Sequence, residues 1–464
     1  MFAFLFINSP YFMLSIESYV ESFFLNHAKR NILIAYSGGV DSQVLLHCLA
    51  SLKNQNRLKS LLRVCHVDHG LSENSAQWQD FATKQCQQLN IPLEIVCVNV
   101  KVQAQKSLEA LARDARYNAL KSSATDGDLI VTGHHSDDQV ETFLLALKRG
   151  SGLKGLSAMQ QEMALGQQLL VRPLLNFSRA DIERYAKKHQ LSWIEDESNI
   201  DERFDRNFLR HQILPKLTQR WPSINSTIAR SAEHCFEAQQ LLDELAQQDL
   251  VKSQFSKNIL DTAALLALTQ ARFNNTLRYF LSVHNILMPS SQQLQQIRLQ
   301  LSAEGDKSPM VQLANCCLRR YKNELHLTDI FKDLSSWQET VNLAELTETK
   351  TLALPDNLGN LTFSVDEAKE HQKHCWQATI LAPKPEQIVS ISFVHQNPKC
   401  SPQYRQHSRS LKKVLQELAI PPWLRKRTPF LFYDGVLVAV IGQFVCKEYL
   451  GNETSEGLVI AWES

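Results

Sequence analysis

The sequence predicts an α/β protein: a doubly wound parallel sheet, followed by a helical domain and a small α+β C-terminal domain. Between residue 30 and about residue 215, short, almost continuously apolar strand segments alternate with helical patterns, as expected for parallel strands covered by helices on both faces. The pattern is helical from about 222 to 300, and short strands recur towards the C-terminus. At 464 residues the chain also exceeds what one hydrophobic core usually supports.

Strand and helix segments follow one another in pairs through the first of these domains. "NILIAYS" precedes a helical pattern from Ser42, "LLRVCHVDHG" precedes "SENSAQWQDFATKQCQQLN", "PLEIVCVNV" precedes "SLEALARDARYNALKSSA", and "DLIVTGHH" precedes "SDDQVETFLLALKRG". Further along, "STIARSAEHCFEAQQLLDELAQQDLV" is helical, and "SLKKVLQELAI" is a helix beside the short strands of "PFLFYDGVLVAVIGQFV".

We expect five regions along the chain: 1–29, an N-terminal extension and first helix; 30–218, the parallel-sheet domain; 219–333, a mainly helical domain; 334–374, a polar linker region; and 375–464, the α+β domain. Residues 1–12 are apolar, but they lack a basic n-region and are too short to span a bilayer. We expect a loosely packed extension there, with a cleaved signal as the alternative.

Composition and charge narrow the class of protein. The net charge is +1 and 44% of residues are hydrophobic, so any nucleic-acid binding must come from local basic patches. None of the ten cysteines forms a C-x-x-C pair. We therefore expect reduced thiols in a cytoplasmic protein, with no zinc site and no iron–sulfur cluster. No segment approaches about 20 uninterrupted apolar residues, so we expect no membrane partner.

Polar clusters fall where the predicted strands end. "SGGVDS" (37–42), "HVDHG" (66–70) and "TGHHSDDQ" (132–139) each follow an apolar segment. In open parallel sheets, ligands bind beyond the carboxyl ends of the strands. The sequence therefore predicts a functional site at this edge of the sheet.

The loop "SGGVDS" has the composition of a phosphate cradle. Gly38 and Gly39 permit close approach of the backbone to a ligand, and the helix that follows presents unpaired N–H groups. Ser37 and Ser42 add hydroxyl donors. Asp41 implies a bridging Mg²⁺, because a carboxylate does not contact phosphate favourably by itself. The loop lacks the lysine of a Walker motif, and the alternative is a plain Gly-Gly turn before a helix cap.

Acidic and basic side chains recur at helical spacing around the other strand ends. Asp138, Glu141 and Thr142 share one helical face, where two carboxylates suit Mg²⁺ or an ammonium group; the alternative is an acidic helix N-terminus that answers the macrodipole. Among the arginines, Arg206 and Arg210 lie one turn apart with Asn207 beside them, and Arg113 and Arg116 lie three residues apart. Two interpretations fit these arginines. Either they bind phosphate groups, or they form ordinary ion pairs. The ion-pair partner of Arg113 would be Glu109, and that of Arg206 and Arg210 would be the acidic run 195–202.

A basic stretch near the C-terminus has the composition of a surface that binds phosphates and stacks on bases. Between 401 and 429 the side chains Arg409, Lys412, Lys413 and Arg425, with Arg405, Lys426 and Arg427, face the single acid Glu417. Tyr404 and Trp423 would add stacking surfaces. The alternative is a solvated helix face.

Several strings in order resemble one protein family. The loop "SGGVDS" is similar to the loop of N-type (PP-loop) ATP pyrophosphatases, which have a Rossmann-like sheet. It is followed, in this order, by "HVDHGL", "LEALARDARY", "TGHHSDDQVET", "RGSGLKGL", "RPLL" and "DESNIDERFDRNFLRHQILPKL". This set, together with "SLKKVLQELAIPPWLRKRTPFLFYDGVLVAVIG", resembles the tRNA(Ile)-lysidine synthetase family over nearly the whole chain after residue 30.

The resemblance implies an ATP-dependent ligase for tRNA. The wobble cytidine of a CAU anticodon in tRNA(Ile) is adenylated by ATP, and free L-lysine then displaces AMP to give lysidine, which reads AUA. A thiolase-type tRNA enzyme of the same superfamily is the first rival; an NAD or GMP synthetase and a non-catalytic RNA-binding protein are others. The missing C-x-x-C pair counts against sulfur chemistry, and a homodimer stays open.

The resemblance also assigns residues. Catalysis is expected of Asp41, Asp138, Arg206, Arg210 and Arg113, with Mg²⁺ on Asp41. ATP is expected to contact Ser37, Gly38, Gly39, Val40, Asp41, Ser42, His66 and Asp68. Lysine or tRNA is expected to contact Asp138, Glu141, Arg116, Asn207, Arg409, Lys412, Lys413 and Arg425.

Overall fold

A computed structural model describes residues 15–27, 30–70, 72, 74–100, 108–303, 309–343, 346, 348–365, 375–451 and 457–463. The predicted extension at 1–12 lies outside these ranges. The chain divides into two compact units, Met1–Leu242 and Asp243–Ser464. No helix within the described ranges is long and apolar enough to cross a membrane.

The first unit alternates strands and helices as the sequence predicts. Its elements are α1 Ile16–Leu25, β1 Ile32–Ala35, α2 Val40–Asn54, β2 Leu62–Asp68, α3 Ser75–Gln88, β3 Leu93–Cys97, α4 Leu108–Ser123, β4 Leu129–Val131, α5 Ser136–Lys148, α6 Leu153–Leu156, β5 Glu162–Leu165, β6 Gln168–Val171, α7 Arg179–Lys188, α8 Asp205–Phe208 and α9 Leu214–Arg220. A 3₁₀ turn at Glu197–Ile200 and a π-helical turn at Leu209–Ile213 flank α8. Helix α10, Ile224–Ser253, follows.

The sheet of the first unit has the strand order β3-β2-β1-β4-β6-β5. All neighbouring pairs are parallel except β5 with β6. Ile32, Leu33 and Ile34 on β1 are at most 1% exposed. They are buried because β1 contributes to two hydrophobic cores. One core includes residues of α1, α2 and α7, and the other includes Leu33 and Leu120 of α4. The predicted doubly wound parallel sheet is confirmed.

The order of the strands creates a crevice beside β1. The chain runs from β1 outward to β2 and β3 and then returns to place β4 on the other side of β1. In open parallel sheets, ligands bind at the carboxyl ends of the strands where the strand order reverses in this way. The segments "SGGVDS" and "TGHHSDDQ" both begin there.

Over the residues that the structure describes, the second unit contains a helical part and three larger antiparallel sheets, of five, five and four strands. Its first elements are β7 Gln254–Ser256, β8 Ile259–Asp261, α11 Thr262–Ala267, α12 Gln270–Val283, α13 Ser291–Ser302, β9 Met310–Gln312, β10 Cys317–Tyr321 and β11 Glu324–Thr328. The strands pair in the order β7-β8-β11-β10-β9, over a core that the helices share.

The C-terminal elements form the predicted α+β part. They are β12 Gln338–Thr340, β13 Lys350–Ala353, β14 Asn360–Ser364, β15 Cys375–Leu381, β16 Val389–Ser392, β17 Lys399–Cys400, β18 Arg409–Ser410, α14 Leu411–Glu417, α15 Pro422–Arg425, β19 Phe430–Tyr433, β20 Val436–Val440, β21 Phe444–Val445 and β22 Gly457–Glu463. The sheets have the orders β12-β16-β19-β20-β21 and β13-β14-β22-β15, and β17 pairs with β18.

The stretch expected to be a linker, 334–374, is instead built into these sheets where the structure describes it. Strand β12 pairs with β16, and β14 pairs with both β13 and β22. Leu361 and Phe363 are fully buried in the shared core. This corrects the expectation of a linker, since these short segments gain their stability from partner strands far along the chain.

Candidate active site

The phosphate-like loop joins β1 to α2 at the centre of the sheet. Gly39 precedes the first residue of α2 and offers no side-chain cap, so the first N–H groups of the helix stay available to a ligand. The hydroxyl of Ser42 donates to the Gly39 carbonyl at 3.0 Å and lies 3.3 Å from the Ser37 hydroxyl. The loop thus places uncapped backbone N–H groups beside two serine hydroxyls, and the Ser42 hydroxyl must turn from the Gly39 carbonyl in order to donate to an anion.

Two glycines allow the backbone segments around the loop to approach each other. Gly38 has φ +86°, and a Cβ there would lie 3.0 Å from Ile194, whose N–H donates to the Gly38 carbonyl at 2.9 Å. A Cβ on Gly133, after β4, would lie 2.9 Å from the backbone carbon of Asp41. Glycine is therefore favoured at both positions, because a side chain there would be too close to neighbouring atoms.

Asp41 lies in the first turn of α2 and accepts two hydrogen bonds from Arg179. Arg179 Nη1 lies 2.8 Å from Oδ2 and 3.1 Å from Oδ1 of Asp41. His135 Nε2 is 3.6 Å from Asp41 and 3.4 Å from Asp138. Partial burial raises the pKa of Asp41 despite the nearby His135 and Arg179, so this half-buried carboxylate favours a cationic partner.

Asp138 and Glu141 on α5 face the two arginines of the "RNFLR" segment. Arg210 donates to Glu141 from Nε at 2.7 Å and from Nη2 at 3.0 Å, and its Nη2 lies 3.4 Å from Asp138. Arg206 Nε is 3.4 Å from Glu141, and its Nη2 donates to Thr142 at 3.3 Å. Four of the predicted site residues, Asp138, Glu141, Arg206 and Arg210, are therefore brought together in one cluster.

The two carboxylates of this cluster differ in ionisation. Burial would raise the pKa of Asp138, but His135, His134 and Arg210 outweigh that effect and lower it. Burial raises the pKa of Glu141, whose side chain is 1% exposed, even though Arg210 and Arg206 oppose the shift. Asp138 is thus the better anion of the pair.

Arg113 and Arg116 lie on α4 near this cluster. Arg113 stacks on the Tyr117 ring at 5.5 Å, and Arg116 Nε lies 3.4 Å from His69 Nε2. Desolvation lowers the pKa of Arg116, and the charges of Arg113 and Arg206 lower it further. These arginines repel one another electrostatically, so the region favours an anion. Glu109, the expected partner of Arg113, lies 3.9 Å from Arg206.

His66 and Asp68 are held at the end of β2. His66 Nδ1 lies 3.0 Å from the Tyr36 carbonyl, and burial lowers the pKa of His66. Asp68 accepts from the Gly70 N–H at 2.8 Å and from Gln79 at 2.7 Å. They flank the loop between β1 and α2, and their contact with nucleotide stays a prediction.

Asn207 forms hydrogen bonds with the backbone next to Arg206 and Arg210. Its amide donates to the carbonyls of Ser198 at 2.7 Å and Asp201 at 2.9 Å, and the residue is 7% exposed. These bonds fix the 3₁₀ turn against α8, so a role of Asn207 in substrate binding stays a prediction.

The C-terminal basic stretch is only partly available to a ligand. Arg409, Lys412 and Lys413 are exposed, although Arg409 pairs with Glu417. Arg425 donates from Nε to the Ile420 carbonyl at 2.7 Å.

One part of the predicted RNA surface is wrong. Trp423, within α15, is 8% exposed, because its ring packs against Arg319 and His326. It offers no stacking face. Arg427 is likewise engaged, with Asp356 and the Phe331 ring, whereas Tyr404 is 55% exposed.

Arg179, the partner of Asp41, was not predicted from the sequence. One signal was available: Arg179 is the first residue of α7, where a cation opposes the helix dipole and needs another reason to be present. Gly133 was also missed, although a glycine directly after a buried strand often marks close backbone approach.

Asp41 is a carboxylate of the kind that Mg²⁺ takes as a ligand. Within the described ranges, no three His, Cys, Asp or Glu side chains are arranged to hold a metal ion. Mg²⁺ usually takes only one or two carboxylates together with substrate phosphates. Asp41 provides such a carboxylate beside the loop, 26% exposed and held by an exposed partner.

The fold and the loop define a PP-loop ATP-binding protein, and residues 13–217 match the family described as "PP-loop domain". Residues 260–326 match a "TilS substrate binding domain" and residues 389–462 a "TilS substrate C-terminal domain". The chain is 42% identical over 438 residues to the tRNA(Ile)-lysidine synthase of Pectobacterium atrosepticum, covering 93% of this chain and 94% of that protein. It is 43% identical over 433 residues to that of Serratia proteamaculans, with the same coverage. The chain belongs to the tRNA(Ile)-lysidine synthase family.

Proposed function

We propose that this protein uses ATP to join free L-lysine to the wobble cytidine of a tRNA(Ile) with a CAU anticodon. The observation that carries the proposal is the juxtaposition at one sheet edge of an uncapped phosphate loop with an acid–arginine cluster. The first suits activation of a base by ATP, and the second suits delivery of an amine. A thiolase would require paired cysteines for sulfur relay, and this chain has no C-x-x-C pair.

In the first step, the loop binds the β,γ-phosphates of ATP. The N–H groups at the start of α2 and the hydroxyls of Ser37 and Ser42 donate to the phosphate oxygens. The C2 oxygen of the cytidine attacks the α-phosphorus, and pyrophosphate leaves with the bridging oxygen and its electron pair. Mg²⁺ would be held by Asp41 and supplies charge neutralisation for the phosphates. His66 and Asp68 flank the nucleotide.

In the second step, lysine displaces AMP from the activated base. Asp138 is ionised and 14% exposed, so it serves as the partner of a lysine ammonium group. The attacking ε-amine must first lose a proton, which a neighbouring carboxylate or His135 accepts. Arg206 and Arg210 orient the carboxylates and stabilise the phosphate charge, with Arg113 and Arg116 beside them.

Glu141 fits an indirect role in the same step. Its carboxylate is 1% exposed and lies under Arg206 and Arg210. A buried carboxylate so placed fixes the two guanidinium groups more readily than it reaches a ligand. We therefore propose that Glu141 positions the arginines, and its direct contact with lysine stays a prediction.

The second unit is proposed to hold the tRNA. Arg409, Lys412 and Lys413 are exposed near Tyr404, and a basic surface with an aromatic side chain suits RNA phosphates and an unstacked base. The region limits 1–29, 30–218 and 219–333 remain our proposal for the first domains, and the C-terminal domain, predicted as 375–464, is now proposed to include the strands of 334–374 as well. A homodimer and a cytoplasmic location stay predictions.

Incorporation of labelled lysine tests the proposal. The protein is incubated with ATP, radiolabelled L-lysine and total tRNA, and the label in RNA is counted. Label is expected only with ATP and only in a tRNA that carries CAU. Labelled sulfur from a sulfide donor entering tRNA, with no lysine incorporated, would contradict the proposal and favour a thiolase.

A further inference from the structure

Arg179 contacts the phosphate-loop aspartate, and none of the steps above uses it. It is the first residue of α7, and its Nη1 donates to both carboxylate oxygens of Asp41, at 2.8 and 3.1 Å. Asp41 is the second residue of α2, two positions after Gly39. A guanidinium therefore stands at the mouth of a phosphate loop that has no lysine of its own.

The backbone of Arg179 is fixed by neighbours from two other helices. Its N–H donates at 2.7 Å to Oδ2 of Asp137, at the start of α5. Oδ1 of the same aspartate accepts from Asn225, at the start of α10, at 2.7 Å. Ser178 caps α7 through the Asp181 N–H. The position from which the side chain extends is thus well defined.

The guanidinium itself is held only by partly exposed ion pairs. The side chain of Arg179 is 42% exposed, and its partners Asp41 and Glu183 are 26% and 40% exposed. Such pairs contribute little to stability. A fixed backbone with a weakly held head group can exchange one anion for another at small cost. Moreover, a cation at the N-terminus of α7 opposes that helix's dipole, so the helix itself does not account for the residue.

We propose that Arg179 is the phosphate-binding cation of this loop: its guanidinium turns from Asp41 to the β,γ-phosphates of bound ATP. The inference rests on the proposed ATP-dependent function. As the bond from the α-phosphorus to the bridging oxygen breaks, that oxygen leaves with the electron pair and the pyrophosphate gains negative charge. Arg179 meets this charge, so its interaction strengthens as the reaction proceeds.

Binding of the leaving group alone tests the role. The affinities of the wild type and of Arg179→Gln for inorganic pyrophosphate and for AMP, both with Mg²⁺, are measured by calorimetry. Arg184→Gln is the matched control, because Arg184 lies on the same helix and pairs with Asp181 at 2.7 Å. Arg179→Gln should lose roughly ten- to a hundredfold in pyrophosphate affinity, since a charge-assisted hydrogen bond is removed. AMP affinity should not change, and Arg179→Lys should recover part of the loss.

Three outcomes would overturn the proposal. The first is pyrophosphate affinity in Arg179→Gln equal to that of the wild type. The second is an equal loss for AMP, and the third is the same loss in Arg184→Gln; either would indicate a merely structural effect. If the wild type binds neither pyrophosphate nor an ATP analogue, the proposed ATP-dependent function is refuted, and the proposed role of Arg179 is refuted with it. Failure of one claim is thereby separable from failure of the other.

Discussion

Burial separates the roles of two carboxylates that stand three residues apart. Asp138 and Glu141 share one face of α5, but the pKa of Asp138 is lowered by neighbouring positive groups while burial raises the pKa of Glu141. Asp138 remains partly exposed and Glu141 does not. The exposed anion suits a substrate, and the buried one suits the arginines above it.

Glu141→Gln should impair the lysine step more than the ATP step. A neutral amide leaves Arg206 and Arg210 without their buried counter-charge, so Arg210 is free to pair fully with Asp138 and to block it. Single-turnover rates for adenylation and for lysine transfer would be compared. We expect transfer to slow about ten- to a hundredfold with adenylation little changed.

Glu109→Gln is the control for that variant. Glu109 also lies near Arg206, at 3.9 Å, but its side chain is 50% exposed. Its loss should affect both steps by less than about threefold, since exposed ion pairs contribute little. A Glu141→Gln enzyme that slows adenylation as much as transfer would contradict the division of roles.

Sequence spacing predicted one side of this cluster and not the other. The positions 138, 141 and 142 share a helical face whatever the tertiary fold, so their convergence is readable from the chain. The pairing of Asp41 with Arg179 spans 138 residues and depends on how α7 returns to the sheet. Local periodicity carries no information about that return.

At the scale of elements, the site depends on how closely β4 and α2 meet. Gly133→Ala should weaken binding of an ATP analogue, because the new Cβ would lie 2.9 Å from the backbone of Asp41 and push the start of α2 aside. We expect a loss of about tenfold by calorimetry. Gly152→Ala is the control, since a Cβ there meets nothing within 4 Å; equal effects of the two would refute the steric account.

The start of β4 is anchored by a buried carboxylate whose effect depends on pH. Asp128, 1% exposed, accepts from the Thr125 N–H and hydroxyl at 2.8 Å and from Arg63 at 2.6 Å. Burial would raise the pKa of Asp128, but these donors outweigh it and lower the pKa. The stabilisation is therefore present above the ordinary aspartate pKa and is lost as pH falls through the lowered value.

Asp128→Ala should lower the melting temperature at neutral pH, by an amount that corresponds to about 1–3 kcal/mol for donors left unpaired. The difference from the wild type should shrink as the pH falls below the ordinary carboxylate range. Thermal unfolding at several pH values, followed by circular dichroism, measures this difference. A gap that widens in acid would contradict the assignment.

The short C-terminal strands show where pattern analysis stops. The α/β alternation of the first unit was predicted because its strands are buried on both faces and read as apolar runs. Strands β12 and β13 have three and four residues, and most of their residues are exposed. They exist through pairing with β16 and β14, which no local pattern in 334–374 indicates.

At the scale of the whole molecule, each unit has hydrophobic cores of its own. We propose that the first unit carries out the chemistry and that the second unit binds the tRNA. Reversing Lys412 and Lys413 to Glu should weaken tRNA binding about tenfold or more and make its salt dependence shallower. Binding would be measured by filter retention at several salt concentrations.

The same change in charge at Lys350 and Lys384, which are also exposed, is the control. Its effect should be small, because these positions lie outside the basic stretch 401–429. If both pairs weaken binding equally, only net charge matters and the proposed surface is refuted.

The central claim is that residues 37–42 grip the pyrophosphate of ATP, so that AMP passes to an RNA base. The most direct measurement omits lysine and supplies tRNA with ATP labelled at the α-phosphate or, separately, at the γ-phosphate. The account predicts that α-label enters the tRNA, that γ-label does not, and that added lysine releases the α-label as AMP. Entry of γ-label into RNA, or α-label that lysine fails to release, would contradict it.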